Sequence, residues 1–202
     1  MLIVHSCGVW PAFWMVGTGA WPQTGEIDII EMTNSLPNNV MSLHTSATPD
    51  CTIAGSNMTG TLLTQRLRGM SSFALRFVAS TDSRVKFANS YTGCAIQSTQ
   101  ANMAGPAFNA NGGGVFAMLW DSDGIQIWAF PRSAIPPSIS KAGVPDISQF
   151  GVPAASFQGS CDFDTHFPAQ QLIFNTDFCG SNAGNTFQKD GCPMVSSLLA
   201  AT

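Results

Sequence analysis

The chain has 202 residues, of which 45% are hydrophobic and 10% charged, and it contains 19 glycines and 12 prolines. This length and apolar content fit one compact domain, and the shortage of charge beside so many turn-forming residues favours an extracellular protein of short strands. The net charge of −4 excludes a basic nucleic-acid-binding stripe, no apolar run reaches the ~18 residues of a membrane-spanning helix, and a neutral polymer is the better candidate partner.

The first half of the chain predicts three strands. Residues 8–31 run through aromatic and apolar residues, a Gly/Pro-rich turn and the segment Glu26–Glu31, a pattern that predicts strand, loop, strand. Residues 40–45 predict another strand. The stretch 62–86 differs from its surroundings because it holds five of the eight basic residues, and we interpret it as either a basic surface loop or an inserted segment.

The second half continues this pattern. Residues 114–120, 124–130 and 171–176 predict strands, and Asp121-Ser122-Asp123-Gly124 predicts the turn of a hairpin. Outside 62–86, no stretch has the apolar period and the caps of a helix. We therefore expect antiparallel sheet in two packed layers, followed by a disordered tail at 195–202, where neither a cap nor alternation is present.

The cysteines indicate disulfides in an oxidising compartment rather than a zinc site, because none of their spacings resembles a zinc motif. The sequence leaves their pairing open. Asn57-Met58-Thr59 is an N-glycosylation sequon. Together these features predict a secreted or cell-wall glycoprotein, although residues 1–7 do not have the form of a signal peptide. The six cysteines are Cys7, Cys51, Cys94, Cys161, Cys179 and Cys192.

The only two glutamates of the chain flank an aspartate in Glu26-Ile27-Asp28-Ile29-Ile30-Glu31. In a regular strand Glu26 and Asp28 point to one face and Glu31 to the other. One β-bulge at Ile29 or Ile30 would return Glu31 to the face of Glu26, and bulges are frequent beside active sites. The alternative is a solvated acidic strand, but the intervening isoleucines indicate that the other face is buried.

Clustered carboxylates raise one another's pKa, so one carboxyl can stay protonated while another is ionised. Retaining glycosidases use this division, with carboxyl groups roughly 5 to 5.5 Å apart that serve as nucleophile and as general acid/base. We predict that Glu31 has the raised pKa and is the acid/base, that Glu26 is the nucleophile, and that Asp28 hydrogen-bonds the nucleophile.

Aromatic residues surround this motif and provide flat faces on which sugar rings stack. Core packing is the better interpretation for about half of the tryptophans, above all Trp10 and Trp120. His44 is equally compatible with a sugar contact and with a structural role in its strand.

The quoted segments resemble glycoside hydrolase family 16, in particular fungal endo-1,3(4)-β-glucanases of laminarinase type. The resemblance is carried by Trp10-Pro11-Ala12-Phe13-Trp14, by Trp21-Pro22 followed by the Glu-x-Asp-x-x-Glu core, and by Leu43-His44-Thr45-Ser46. It resumes at residues 108–118, 125–133 and 174–180, and it covers about two-thirds of the chain.

This resemblance implies an all-β jelly-roll sandwich, similar to concanavalin A-like lectins, that cleaves β-1,3 or mixed β-1,3/1,4 glucans by double displacement. It implies Glu26, Asp28 and Glu31 as catalytic residues, a monomer, no organic cofactor and no metal in the site, while a structural calcium ion is left open. The residues assigned to substrate binding are Trp14, Trp21, His44, Asn34, Trp128 and Arg132.

The chain also departs from the family pattern. Strands expected before Trp10 and after the last cysteine are missing, so the jelly roll is expected to be incomplete and the chain, residues 1–202, to be a single partial catalytic domain. Asn182 stands where a tryptophan commonly follows the Phe-Cys-Gly motif. The alternatives are a non-catalytic β-glucan-binding module, a glucan transglycosylase with the same residues, and an inactive truncated product.

Overall fold

A computed structural model describes residues 3–46, 51–54, 56–63, 84–86, 93–140 and 144–193. Most of the stretch 62–86 and all of 195–202 lie outside these residues, so the predictions of a loop or an insertion and of a disordered tail stay predictions. The strands are β1 (Val9–Gly17), β2 (Glu26–Glu31), β3 (Val40–His44), β4 (Thr52–Ala54), β5 (Thr61–Leu63), β6 (Arg84–Lys86), β7 (Cys94–Gln97), β8 (Gly114–Asp121), β9 (Gly124–Pro131), β10 (Ala155–Ser160) and β11 (Gln170–Phe178).

The strands form two antiparallel sheets. The first has the order β11-β1-β2-β3-β7-β5 and the second the order β6-β4-β10-β9-β8. Apolar side chains from one face of each sheet meet in a shared core, as expected for a sandwich with alternating inward and outward residues. The predicted two-layer antiparallel architecture is therefore confirmed. The fully buried members include Ile27, Ile30, Met41, Leu43, Ile53, Ile125, Ile127 and Phe157.

Helical segments are short, and all but the last lie between strands. They are α1 (Gly105–Ala110), α2 (Pro137–Ser140), α3 (Phe163–His166) and α4 (Ala183–Thr186), with single 3-10 turns at Arg132–Ala134 and Ile147–Gln149. None of the described helices is long and apolar enough to cross a membrane. Segments of four to six residues are too short to show a helical period, which is why the sequence did not predict them.

Six strands were predicted from the sequence, namely β1, β2, β3, β8, β9 and β11. The strands of two short pairs, β4 with β6 and β5 with β7, were not predicted. Nor was β10, which pairs with β9 and contributes Phe157 to the core. The first four have only three or four residues, too few to show alternation, and β10 has the sequence Ala-Ser-Phe-Gln-Gly-Ser without a β-branched residue.

Two disulfides join distant parts of the chain, in agreement with the predicted disulfide chemistry. Cys7 bonds Cys192, and Cys51 bonds Cys161. Cys94 is a buried free thiol and Cys179 an exposed one. The Cys7–Cys192 bond ties the segment before β1 to the segment after α4, so both are fixed close to the end of β2.

Candidate active site

The central feature of the site is an irregularity in β2 that places three carboxylates on one face of the first sheet. Opposite β1, Trp14 pairs with Asp28 and Phe13 pairs with Ile30, so Ile29 has no partner. Opposite β3, the register shifts between Asp28 and Glu31. This is the predicted bulge, and it brings Glu31 to the same face as Glu26 and Asp28.

The other face of β2 anchors the strand in the core. Ile27, Ile29 and Ile30 have exposed fractions of 0%, 3% and 1%. The backbone of the bulge is bound by Asn39, whose amide accepts a hydrogen bond from the Glu31 N–H at 3.0 Å and donates one to the Ile29 carbonyl at 2.9 Å. The buried isoleucines on one face and the hydrogen bonds of Asn39 to the strand backbone therefore fix the direction in which the carboxylates point.

Glu26 lies between a tryptophan and a histidine. The Trp21 indole N–H donates to Oε2 of Glu26 at 2.7 Å. His44 Nε2 lies 3.5 Å from Oδ2 of Asp28 and 4.0 Å from Oε1 of Glu26. The ring centroids of Trp21 and His44 are 6.0 Å apart. Donors directed at a carboxylate favour its charged form, so these contacts suit a Glu26 that acts as an anion.

Both glutamates hold their protons more tightly than exposed carboxyls do. Burial, and next the charge of Asp28, raises the pKa of Glu26 to about 7, while His44 and the Trp21 hydrogen bond oppose the rise. Burial and Asp28 likewise raise the pKa of Glu31 to about 7. The sequence analysis expected this rise for Glu31 alone. Desolvation acts on both because both lie in the same partly buried cluster, so they exchange protons as a pair near neutral pH.

His44 is the basic group of this cluster. Burial lowers the pKa of its imidazole, but the hydrogen bond and the charge of Asp28, followed by the charges of the two glutamates, produce a net rise. Gly93 packs against the ring: a Cβ at this position would lie 2.6 Å from Nδ1 of His44. A glycine is thus required here to leave room for the imidazole beside the carboxylates.

Two tryptophans of β1 lie on the face that carries the carboxylates. Trp14, opposite Asp28, is half-buried and donates its indole N–H to the Asn175 side chain at 2.9 Å. Trp10 occupies the same face four residues earlier, and its indole helps to lower the pKa of Glu31. The prediction of a core position for Trp10 was wrong, because residues 10 and 14 share a face by strand alternation. Trp120, in contrast, packs against the shared core as expected.

Asn34 does not fit its predicted role in substrate binding. Its side chain is fully buried, accepts a hydrogen bond from the Gly8 N–H at 2.7 Å and donates to the Ala183 carbonyl at 3.2 Å and to Asp190 at 2.6 Å. Its φ of 57° is a left-handed conformation that asparagine tolerates. Asn34 therefore joins the end of β2 to α4 and presents no surface to a sugar.

Trp128 is also placed away from the carboxylates. Trp128 is 3% exposed, packs with Phe130 and Phe150 on the outer face of the second sheet and donates to the Gly151 carbonyl at 2.9 Å. It lines a cavity of about 420 Å³ there. Arg132 donates to the Gly112 carbonyl at 3.2 Å. The prediction for Trp128 was wrong, because the intersheet core separates its side chain from β2, whereas the role of Arg132 stays a prediction.

Asn182 is the site residue that the sequence analysis did not identify. Its side-chain amide donates a hydrogen bond to Oε1 of Glu31 at 3.1 Å. The two residues are 151 positions apart, and no pattern within either segment indicates that they meet. The resemblance singled out Asn182 only as a departure from the expected tryptophan.

Among the described residues, two clusters have the donor types of a metal site. Glu26, Asp28 and His44 offer ligand atoms that all lie within 4.8 Å of one another, and so do Cys51, Cys161 and His166. In the second cluster the two sulfurs are already joined in a disulfide. The first cluster has the chemistry of a divalent-cation site, but its three members are also the donors and acceptors expected around a carboxylate nucleophile.

The family model described as the XgeA-like, catalytic GH16 domain matches residues 2–201 of the chain. A probable endo-1,3(4)-beta-glucanase of Aspergillus fumigatus is 47% identical over 189 residues, which cover 93% of this chain and 26% of that protein. The chain thus spans about a quarter of the length of the curated relative that it matches.

Two solved structures align over nearly the whole chain. One, described as an elongating GH family 16 beta-1,3-glucosyltransferase, is 40% identical, with a TM-score of 0.75 over 96% of this chain and 59% of that chain. The other is GH16 Laminarinase 16A from Phanerochaete chrysosporium, described with beta-glucans in both donor and acceptor sites. It is 36% identical, with a TM-score of 0.72 over 95% of this chain and 60% of that chain. These alignments support the expected jelly-roll sandwich.

Proposed function

The chain belongs to the XgeA-like catalytic domains of glycoside hydrolase family 16, and from this premise we propose that it is a retaining endo-glycosidase acting on β-1,3 or mixed β-1,3/1,4 glucans. The observation that carries the proposal is the bulged β2 strand, which gathers Glu26, Asp28 and Glu31 on one face of the first sheet. Relatives named as endo-1,3(4)-beta-glucanases support the same substrate class.

In the first step, Glu26 attacks the anomeric carbon of the sugar on the donor side and the glycosidic bond breaks. Glu31 gives its proton to the departing oxygen, so no alkoxide is released. Both pKa values are raised to about 7, so the pair holds one proton near neutral pH. We place that proton on Glu31, because Trp21 and His44 favour the charged form of Glu26. The indole N–H of Trp21 and the imidazole of His44 stabilise the charge of Glu26 before it attacks.

In the second step, water attacks the glycosyl-enzyme and the sugar is released with its original configuration. Glu26 has lost its charge in the ester, so the pKa of Glu31 falls and Glu31 can accept the proton of the water. Asp28, held at 3.5 Å by His44, stays beside the nucleophile in both steps. Trp14 and Trp21 offer the faces on which glucosyl rings stack.

Glucosyl transfer is a second candidate, favoured by the similarity to the elongating beta-1,3-glucosyltransferase. It uses the same covalent intermediate and differs only in whether a sugar hydroxyl or water attacks it. A non-catalytic module has no need of the paired glutamates. The two disulfides support a secreted protein, and we propose that it acts outside the cell as a monomer, without an organic cofactor.

Product analysis on laminarin tests the proposal. New reducing ends support hydrolysis, longer oligomers support transfer, and binding without turnover contradicts both. Glu26→Ala should remove turnover, because the covalent route is lost, and should retain oligosaccharide binding to the tryptophans. Asp123→Ala, at an exposed turn between β8 and β9, is the matched control and should cleave laminarin normally. Near-normal turnover by Glu26→Ala would contradict the assignment.

A further inference from the structure

Asn182 forms a direct bridge between the C-terminal segment and the end of β2. Its Nδ2 lies 3.1 Å from Oε1 of Glu31. The Trp10 indole is the other side chain that acts on this carboxyl and lowers its pKa. Oε1 is thus held by an amide of the C-terminal segment.

The backbone around Asn182 is held at several points. The Asn182 carbonyl accepts the Thr186 N–H at 3.1 Å, which closes the turn of α4. The next carbonyl along, that of Ala183, accepts a hydrogen bond from the buried Asn34 at 3.2 Å. Asn34 follows Glu31 by three residues, so the same strand end that carries Glu31 also fixes the helix that carries Asn182.

We propose that Asn182 is a positioning residue for Glu31, which fixes the rotation of its carboxyl and assigns the acid proton to Oε2. An amide N–H can only donate, so Oε1 must accept and cannot carry the proton on the same side. When Glu31 is protonated, its O–H is therefore on Oε2, the oxygen that Asn182 does not bind. This inference rests on the proposed role of Glu31 as general acid/base.

The hydrogen bond has an electrostatic consequence as well as a steric one. A hydrogen bond becomes stronger when its acceptor is charged, so the bond from Asn182 favours the ionised form of the Glu31 carboxyl. In agreement, Asn182 is among the groups that lower the pKa of Glu31 against the larger effects of burial and Asp28. Loss of the donor should thus raise the pKa of Glu31 and free its carboxyl to rotate.

The sequence permits a direct test, because Glu26 and Glu31 are the only glutamates in the chain. Carbon-13 labelling of glutamate in the full chain gives two side-chain carboxyl signals, and Glu26→Gln identifies which is which. Both are titrated by NMR in the wild type, in Asn182→Ala and in the isosteric Asn182→Asp. The controls are Asn185→Ala and Asn185→Asp, since Asn185 is an exposed residue of the same helix that bonds the Ser181 carbonyl.

We expect the Glu31 midpoint to rise by about half a pH unit in Asn182→Ala and by about one unit or more in Asn182→Asp, where a carboxylate replaces the donor. The Asn185 variants should leave it unchanged. A Glu31 midpoint equal to that of the wild type in both Asn182 variants would overturn the inference. The titration needs no turnover, so a wild-type chain that cleaves no glucan overturns the proposed function independently of this result.

Kinetics separate positioning of the acid from a general structural defect. Asn182→Ala should reduce kcat on laminarin by about tenfold with little change in KM, and it should spare an aryl glycoside whose leaving group needs no proton. The alkaline limb of kcat/KM should move to higher pH. An equal loss on both substrates would show that Asn182 acts through packing alone and would also overturn the inference.

Discussion

Replacing Glu31 by glutamine should stabilise the fold at neutral and alkaline pH. The pKa of Glu31 is about 7 in the folded chain and 4.5 for an ordinary exposed carboxyl. Between these values the unfolded chain has already released the proton that the folded chain still binds, so the free energy of unfolding falls as pH rises through the window. Below about pH 4.5, both states are protonated and the penalty disappears.

The size of the effect follows from the same two values. Each pKa unit corresponds to ~1.4 kcal/mol, so the rise from 4.5 to about 7 sets an upper figure of about 3.5 kcal/mol. Glu26 and Glu31 share their titration, and removal of one charge also relaxes the other. We therefore expect Glu31→Gln to gain about 2 to 3 kcal/mol at about pH 8 and almost nothing at about pH 4. The glutamine carbonyl can still accept the Asn182 hydrogen bond.

Urea unfolding followed by tryptophan fluorescence measures this gain at the two pH values. Asp123→Asn is the control, because it removes a carboxylate from an exposed turn where burial contributes nothing. A gain of the same size at both pH values would mean that packing rather than ionisation is responsible. A loss of stability at about pH 8 would refute the assignment of the raised pKa to desolvation of Glu31.

Three further predictions concern the reaction. In Glu26→Ala, azide or formate should restore cleavage with inverted configuration, because a small anion attacks from the side of the missing nucleophile; polarimetry or NMR of the product that shows retention would contradict this. Glu31→Ala should slow glycosylation on laminarin far more than on an aryl β-glucoside oligomer, and equal losses would mean that Glu31 is not the acid. Trp21→Phe removes the indole N–H bound to Glu26 at 2.7 Å, so the pKa of Glu26 should rise. The acidic limb of kcat/KM should then move up by roughly half a pH unit to one, and an unmoved limb would exclude this role for the indole.

The architecture around β2 could be predicted because its signals are local. The odd spacing between Asp28 and Glu31 requires a bulge if the carboxylates are to share a face, and the isoleucines between them identify the buried side. Trp10 could have been placed by the same reasoning, since it is four residues from Trp14 in one strand and side chains alternate. The core assignment relied on residue type and overlooked this alternation.

Other parts of the site depend on contacts that no local pattern encodes. Asn182 meets Glu31 across 151 positions, and α4 is held there by the buried Asn34. Asn34 itself follows the motif closely, but its left-handed backbone turns its amide inward. Trp128 alternates with core residues Ile125 and Ile127, but Phe150, which covers it together with Phe130 of the same strand, comes from elsewhere in the fold.

The bulge in β2 also determines which changes of chain length the site can tolerate. Glu31 lies five positions after Glu26, and in a regular strand this odd spacing would place the two side chains on opposite faces. Glu31 faces outward because Ile29 is an extra residue without a partner in β1. Deleting that residue together with the bulge would leave a regular strand with all three carboxylates still on one side. Straightening the strand without a deletion would instead bury the carboxyl of Glu31 among the isoleucines. Evolutionary insertions and deletions at this point are therefore compatible with the chemistry only when the strand geometry changes in the same step.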